Sequence, residues 1–208
     1  MNNDIIFKPL RTLAKRIFSG TSPYNIRKVN GDSESIPIIN IKDIADGWVL
    51  ESHLSRISTT NLKNMEKNIV VPGDIMLTCR GTQLKTAVVP NFLKQAVITS
   101  NLIAIRLGGQ MLPGFLAAYL KSTNGQQALL SHATSSTTQL VLTISQIGEI
   151  EIPAPPLFLQ EKIVNLANAA DEQYRLSIES ANLRRMISNQ IIMNMLTNKE
   201  EELGKINE

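Results

Sequence analysis

The chain is divided in two by the stretch Ile152-Pro153-Ala154-Pro155-Pro156-Leu157-Phe158-Leu159-Gln160. Its prolines fix φ and cannot donate backbone hydrogen bonds, so we expect an extended and stiff segment. The sequence before it is mixed and rich in turn signals. The sequence after it contains neither proline nor glycine over residues 159–198, which predicts one helix about 60 Å long.

The predicted organisation is a globular body, a stiff hinge, a helical arm and a short tail. The boundaries are 1–153 for the body, 154–158 for the Pro-rich hinge, 159–198 for the helix and 199–208 for a polar tail. Within the body, short β-branched runs such as Ile75-Met-Leu-Thr-Cys79 alternate with turns and short helices. The fold class is therefore α+β, with a mixed sheet. Residues 4–18 show a weak helical spacing that Pro9 breaks, and residues 147–152 are predicted to form the last strand.

The predicted C-terminal helix carries two apolar stripes that a small body cannot bury. Its polar face holds charged residues such as Glu172, Arg175 and Glu179. We expect the stripes to pack against another helix, from a second copy or from another protein. The alternative is a hairpin that folds back on its own body, although no turn signal interrupts the segment. The predicted partner-helix residues are Ile163, Ala167, Ala170, Tyr174, Ile178, Leu183, Ile187 and Ile191.

The net charge of +3 over 208 residues is distributed unevenly. Residues 1–153 contain 15 Lys and Arg against 10 Asp and Glu, whereas residues 154–208 contain 6 against 8. A basic body suits a polyanion and a slightly acidic arm suits a protein, although ordinary scatter would also produce this difference. The absence of a long apolar run and of a signal-peptide pattern predicts a cytoplasmic protein without a membrane span.

Catalytic and metal-binding patterns are not found. The single cysteine, Cys79, lies in an apolar run and is expected in the core, and His53 and His132 are isolated. A methyltransferase would need a cofactor-binding glycine loop and a catalytic Asn/Asp-Pro-Pro-aromatic run, but the only Pro-Pro pair precedes Leu157. A metal-dependent nuclease would need clustered carboxylates. We therefore expect a protein without catalytic activity, metal or cofactor of its own.

An ordered set of motifs resembles the specificity subunit of type I restriction–modification systems over nearly the whole chain. The resemblance implies a target recognition domain followed by a conserved helix. The motifs are Ser19-Gly-Thr-Ser-Pro23, Ile36-Pro-Ile-Ile-Asn-Ile-Lys-Asp-Ile44, Pro72-Gly-Asp-Ile-Met-Leu-Thr-Cys-Arg-Gly-Thr82, Ser100-Asn-Leu-Ile-Ala-Ile-Arg-Leu107, Phe115-Leu-Ala-Ala-Tyr-Leu120 and Ile152-Pro-Ala-Pro-Pro-Leu157 with Gln160.

The same resemblance implies binding of double-stranded DNA without catalysis, and assembly with methyltransferase and restriction subunits. S-adenosylmethionine, ATP and Mg would be bound only by those partners. The family's usual subunit carries two domain-plus-helix units in tandem, whereas this sequence contains one unit and no internal repeat. We expect two copies to pair as a homodimer that reads an interrupted palindrome. Half of a hetero-pair and an inactive truncated half remain alternatives, as does an adaptor that binds only proteins.

The candidate DNA-binding residues lie in three segments of the body. Cations hold phosphates, while Arg, Asn and Gln side chains read base edges, and small hydroxyls contact either. Solvated surface loops would show the same residue types. Trp48 is open to two interpretations, a DNA wedge or a core residue, and a lone tryptophan is more often core. The candidates are Arg80, Thr82, Gln83, Lys85, Lys42, Asn40, Ser136, Thr137 and Thr138.

Overall fold

The computed structural model describes residues 5–22, 35–58, 66–135 and 139–204. The chain divides into two compact units, Met1–Val164 and Asn165–Glu208, which we call the head and the arm. Among the described residues, no helix has the length and apolar content needed to cross a membrane.

The strands of the head are short, and their bounds follow in chain order. They are β1 (Phe7–Pro9), β2 (Ala14–Ser19), β3 (Ser35–Ile39), β4 (Ile44–Ala45), β5 (Trp48–Val49), β6 (Ser55–Ser58), β7 (Ile69–Val70), β8 (Ile75–Thr78), β9 (Arg80–Gly81), β10 (Thr86–Val88), β11 (Ala96–Ile98), β12 (Leu102–Leu107), β13 (Thr134–Ser135), β14 (Leu140–Val141) and β15 (Glu151–Pro153). The α-helices are α1 (Leu10–Leu13), α2 (Pro113–Lys121), α3 (Thr123–His132), α4 (Ile144–Glu149) and α5 (Leu157–Gly204).

Two four-stranded sheets form the centre of the head. The first has the order β10-β8-β12-β2 and is antiparallel throughout. The second has the order β6-β3-β11-β7, and its β3–β11 pair is parallel. Smaller pairings join β1 to β15, β4 to β5, and β13 to β14 to β9. The predicted α+β class with a mixed sheet is therefore confirmed.

The first sheet is buried on both faces, because successive side chains of a strand point in opposite directions. Ile75 and Leu77 belong to one core cluster together with residues of α2, α3 and α4. Met76 lies in a second cluster, which includes Ile39 and Ile98 of the other sheet. The head thus has three layers, in which helices cover one face of the first sheet and the second sheet covers the other.

Helix α5 begins at Leu157 and continues to Gly204, so it is longer at both ends than the predicted span. The segment predicted as a stiff hinge, residues 154–158, makes contacts with the head. The Ala154 N–H donates to the Ile6 carbonyl at 2.8 Å, and Pro155 is buried. Proline fits the start of a helix because it has no N–H to lose there, and the Pro156 carbonyl accepts the first helical bond from Leu159.

The first turn of α5 is fixed to the head by Gln160, whose side chain is 1% exposed. Its Oε1 accepts the Leu112 N–H at 2.8 Å, and its Nε2 donates to the carbonyls of Gln110 at 3.2 Å and Pro155 at 2.8 Å. One turn further on, Val164 packs so closely on Gly114 that a Cβ at that glycine would lie 3.0 Å from it. The role of Gln160 in the motif is therefore structural.

Two local predictions are wrong. Residues 4–18 do not form a helix where they are described; they form β1, the single turn α1 and β2. Residues 147–152 do not form one strand, because Thr143 and Gln146 begin helix α4 with a capping box. The Gln146 N–H donates to Thr143 Oγ1 at 3.3 Å, and the Thr143 N–H donates to Gln146 Oε1 at 2.9 Å. The strand β15 begins only at Glu151.

Candidate nucleic-acid interface

Strand β9 brings two of the predicted DNA-binding segments together. Arg80 pairs with Val141 and Gly81 with Leu140, so the loop after β8 runs beside the segment that carries the hydroxyl-rich loop. The Leu142 N–H extends this pairing by donating to the Cys79 carbonyl at 2.9 Å. These segments lie about 60 residues apart in the sequence, and only the sheet places them side by side.

The loop from Arg80 to Lys85 is held by the hydroxyl of Thr78, which is fully buried. This hydroxyl accepts the Lys85 N–H at 2.8 Å and donates to the Gln83 carbonyl at 3.0 Å. The side chains of Arg80, Thr82 and Gln83 are exposed. The ends of the loop are thus fixed while its polar side chains face solvent, which is the arrangement that a recognition loop requires.

Lys85 connects this loop to the third predicted segment. Its Nζ donates to the Ile44 carbonyl at 2.9 Å, so the side chain acts as a brace between the loop and β4. Lys42 is exposed two residues before Ile44. The side-chain amide of Asn40 is engaged within its own turn, where Nδ2 donates to Asp43 Oδ2 at 3.1 Å. Contacts of these residues with DNA stay predictions, but Lys85 and Asn40 also have structural roles.

Ser136, Thr137 and Thr138 lie outside the described residues, and their roles stay predictions. The strands on either side of them are described, and β13 pairs with β14. Thr134, at the start of β13, accepts a bond from the Gln146 side chain of α4 at 3.1 Å.

Two further residues belong to this surface: Trp48, for which the core interpretation was favoured over the DNA wedge, and Thr78, which was not among the candidates. The expectation of a core tryptophan is wrong, because Trp48 is 44% exposed. The chain held one signal for its position, the Asp46-Gly47 dipeptide, which predicts a tight hairpin with Trp48 at its tip. Thr78 gave no signal, since a threonine at the end of a strand is ordinary.

The described residues contain no group of three or more His, Cys, Asp or Glu side chains that could hold a metal ion. Cys79 is buried, and this burial raises the pKa of its thiol, which disfavours the reactive thiolate. The Nδ1 of His132 lies 2.9 Å from the Ala128 carbonyl, a bond within its own helix. Each of these side chains has a structural explanation.

The arm exposes most of the predicted partner-helix stripe. Five large side chains of this stripe are exposed, namely Tyr174, Ile178, Leu183, Ile187 and Ile191. A correction applies to Ile163, which is partly buried and packs against the core of the head rather than standing free. The stripe available for another helix therefore starts after Val164. Further exposed apolar residues of the arm are Leu166, Leu176, Met186, Ile192, Met193, Met195 and Leu196.

The chain belongs to the family of type I restriction modification DNA specificity domains, whose model matches residues 16–180. This match covers most of the head and the first part of the arm. The resemblance inferred from the ordered motifs is therefore confirmed. No curated protein matches the chain.

Three solved structures share the fold. The HsdS subunit from Thermoanaerobacter tengcongensis matches with a TM-score of 0.63 at 18% identity, over 84% of this chain and 44% of that one. A chain from a study of complex assembly and conformational transition of the type I R-M system matches with a TM-score of 0.57 at 19% identity, over 83% and 40%. The S subunit of the M. genitalium type I restriction-modification system matches with a TM-score of 0.50 at 18% identity, over 83% and 41%. This chain thus spans less than half the length of each.

Proposed function

We propose that this chain is the DNA sequence-recognition subunit of a type I restriction–modification system, and that each copy reads one half-site. The observation that carries the proposal is the family match over residues 16–180. The surface formed by the Arg80 loop, β4–β5 and β13–β14 supports it, because it presents exposed cationic and amide side chains on a braced framework. Arg80 would contact guanine or phosphate, and Gln83 and Thr82 would contact base edges.

The test of DNA binding is a comparison of Arg80→Ala with Lys15→Ala. Both side chains are exposed cations, but they lie at different places on the head. Lys15 is on β2, one edge of the first sheet, whereas the Arg80 loop leads into β10, the opposite edge. We expect Arg80→Ala to weaken binding to a duplex DNA pool about tenfold, and Lys15→Ala to leave it nearly unchanged. The assay is fluorescence anisotropy with and without the methyltransferase partner, over a salt series.

Salt dependence separates a DNA reader from a protein-binding adaptor. Neutralised phosphates release counterions, so the affinity of a DNA reader falls steeply as salt rises. An adaptor would bind its partner with no such slope and would not retain duplex DNA. Equal affinity of Arg80→Ala and the wild type would remove Arg80 from the site.

We propose further that two copies pair through antiparallel arms, so that the helix sets the distance between two half-sites of an interrupted palindrome. The exposed stripe of the arm supports this, since a helix of 48 residues with many exposed apolar side chains needs a partner. Seven residues inserted after Tyr174 lengthen a helix by about 10 Å, close to three base pairs, and keep its stripes nearly aligned. We expect the gap of selected sites to grow by about this amount.

The control for this experiment is the same insertion in the exposed loop that contains Phe92, which leaves the helix unchanged. Selection from randomised duplexes in the presence of the methyltransferase partner reports the gap. An unchanged gap in the helix variant would contradict the proposal that the helix sets the distance between half-sites, but it would not contradict DNA recognition.

The chain would be non-catalytic within its complex. The methyltransferase and restriction subunits would bind S-adenosylmethionine, ATP and Mg, and this chain would place them on DNA from within the cytoplasm. The family description, a DNA specificity domain, supports this division of roles. Cofactor binding by the isolated chain, tested with S-adenosylmethionine by calorimetry, would contradict it.

A further inference from the structure

The tip of the β4–β5 hairpin is a rigid mount for Trp48. Its two-residue turn has positive φ at both positions, 49° at Asp46 and 85° at Gly47, which is the geometry of a type I′ hairpin. On the two strands, Ile44 and Val49 face each other and are buried. Because side chains alternate across a strand, the next pair, Ala45 and Trp48, points the other way. The exposure of Trp48 therefore follows from the register of a well-anchored hairpin.

Cationic groups lie close to this hairpin. The Lys85 ammonium donates to the Ile44 carbonyl at 2.9 Å, at the base of β4. On the turn, a Cβ placed at Gly47 would lie 3.0 Å from the Nζ of Lys121, at the end of α2. Lys42 is exposed just before β4. Lysines therefore lie at the base and at the turn of this hairpin, and the turn itself also carries the exposed Asp46.

The brace by Lys85 also makes the hairpin continuous with the Arg80 loop. Lys85 is the last residue of that loop, and its N–H is held by Thr78 at 2.8 Å. A duplex lying on the exposed Arg80 and Gln83 side chains would therefore come within reach of the hairpin. Apolar and aromatic side chains contribute to nucleic-acid binding by packing against bases.

We propose that Trp48 is a DNA-contacting residue, whose indole ring packs against the sugar and base edges of duplex DNA beside the contact made by the Arg80 loop. This inference rests on the proposed function and adds a contact that the family match does not assign. A protein partner would also use an exposed tryptophan. Duplex DNA is favoured because Lys85 bonds the hairpin to the Arg80 loop, where the proposed function already places DNA.

The experiment uses the intrinsic fluorescence of the full chain, because Trp48 is its only tryptophan. A duplex DNA pool is titrated while anisotropy of labelled DNA measures binding in parallel. We expect the emission of Trp48 to be quenched and its accessibility to acrylamide to fall, both in proportion to the DNA bound. Trp48→Ala should weaken binding about tenfold, and Trp48→Phe, which keeps an aromatic ring, by much less.

The matched control is Phe92→Ala. Phe92 is also an exposed aromatic residue, but its loop leaves β10 at the end opposite to Lys85. We expect this variant to bind DNA like the wild type. Circular dichroism of each variant checks that the head is folded, and Trp48→Phe keeps the test valid if Trp48→Ala does not fold.

Three outcomes would overturn the proposal. DNA binding without any change in Trp48 emission, or with equal affinity of all Trp48 variants, removes Trp48 from the interface and leaves the proposed function intact. A change in emission that requires the methyltransferase partner and no DNA assigns the residue to a protein contact. Failure of the wild-type chain to bind DNA even with that partner removes this inference together with the proposed function.

Discussion

The head and the arm use the same apolar side chains in opposite ways. In the head, Ile39, Ile75, Leu102 and Leu116 are completely buried between the helices and the two sheets. In the arm, Ile187 remains 59% exposed, as do many neighbours of the same type. Burial of such side chains is the main force that stabilises a fold. The head therefore buries its apolar side chains within the chain, whereas those of the arm remain uncovered.

Local interactions alone do not explain a helix of this length. One ion pair of the arm joins Glu172 and Arg175 at 2.7 Å, and exposed pairs of this kind contribute little. Most helical stability in proteins comes from packing of an apolar face. The two regions thus differ in whether the chain itself covers their apolar side chains.

The largest expected effect comes from the double change Leu183→Lys with Ile187→Lys. Burying one Leu or Ile side chain is worth about 1.5–3 kcal/mol, and a symmetric pair loses each contact twice. We expect the homodimer to dissociate at least about a thousandfold more readily, which is about 4 kcal/mol. Sedimentation of the wild type and the variant over a concentration series measures this. Asn182→Lys, the same type of change at a polar position of the arm, is the control and should leave the dimer intact.

A wild-type chain that sediments as a monomer at all concentrations would contradict pairing of two copies through the arm. The exposed stripe would then belong to another protein, and the chain would be half of a hetero-pair. Sedimentation of the wild-type chain therefore distinguishes a homodimer from half of a hetero-pair.

A smaller effect is expected for Gln160→Leu in the head. The substitution leaves the partly buried Leu112 N–H and two carbonyls without their partner, and a buried polar group left unsatisfied costs about 1–3 kcal/mol. We expect the head to lose about 2–3 kcal/mol of its free energy of unfolding. Urea unfolding, monitored by the emission of Trp48, measures the free energy of unfolding of the head. Gln190→Leu in the arm, where the amide is exposed, should leave that transition unchanged.

The smallest expected effect concerns the charges of the arm. The hydrogen bond from Arg175 lowers the pKa of the Glu172 carboxyl below its ordinary value, and the attraction between the two charges acts in the same direction. Because the pKa is lowered, the ion pair stabilises the helix at pH values above the ordinary pKa of a glutamate. This stabilisation is lost as the pH falls through the lowered pKa. NMR titration of Glu172 should show the depressed pKa, and Arg175→Gln should restore it. A normal pKa in the wild type would mean that the ion pair is absent in solution.

The long helix, the α+β class and the family were all predictable from sequence because their signals are local or ordered along the chain. The absence of proline and glycine after Pro156 predicted α5, although its two ends were placed too far inside. Helix α4 could also have been predicted, since Thr143 and Gln146 stand at capping-box spacing. The missed strand β1 had no such signal, because Phe7–Pro9 is fixed only by its pairing with β15.

The candidate site was predictable as a set of residues but not as a surface. Arg80, Thr82 and Gln83 are exposed, as expected. No sequence signal showed that Lys85 is a brace, whereas the Asp46-Gly47 dipeptide was a signal for the hairpin that exposes Trp48. The brace depends on a bond between residues that are distant in the chain, Lys85 and Ile44, whereas the exposure of Trp48 follows from the local register of β4 and β5.

The sequence by itself determined the periodicity of the arm, the stiff segment before it and the family to which the chain belongs. These properties depend on backbone preferences and on the order of residues along the chain. Only the tertiary structure decided that Gln160 is bound into the head, that β9 joins two distant loops, and which apolar side chains remain uncovered. Those outcomes depend on contacts between remote segments, and the free energy of such contacts exists only once the layers have packed.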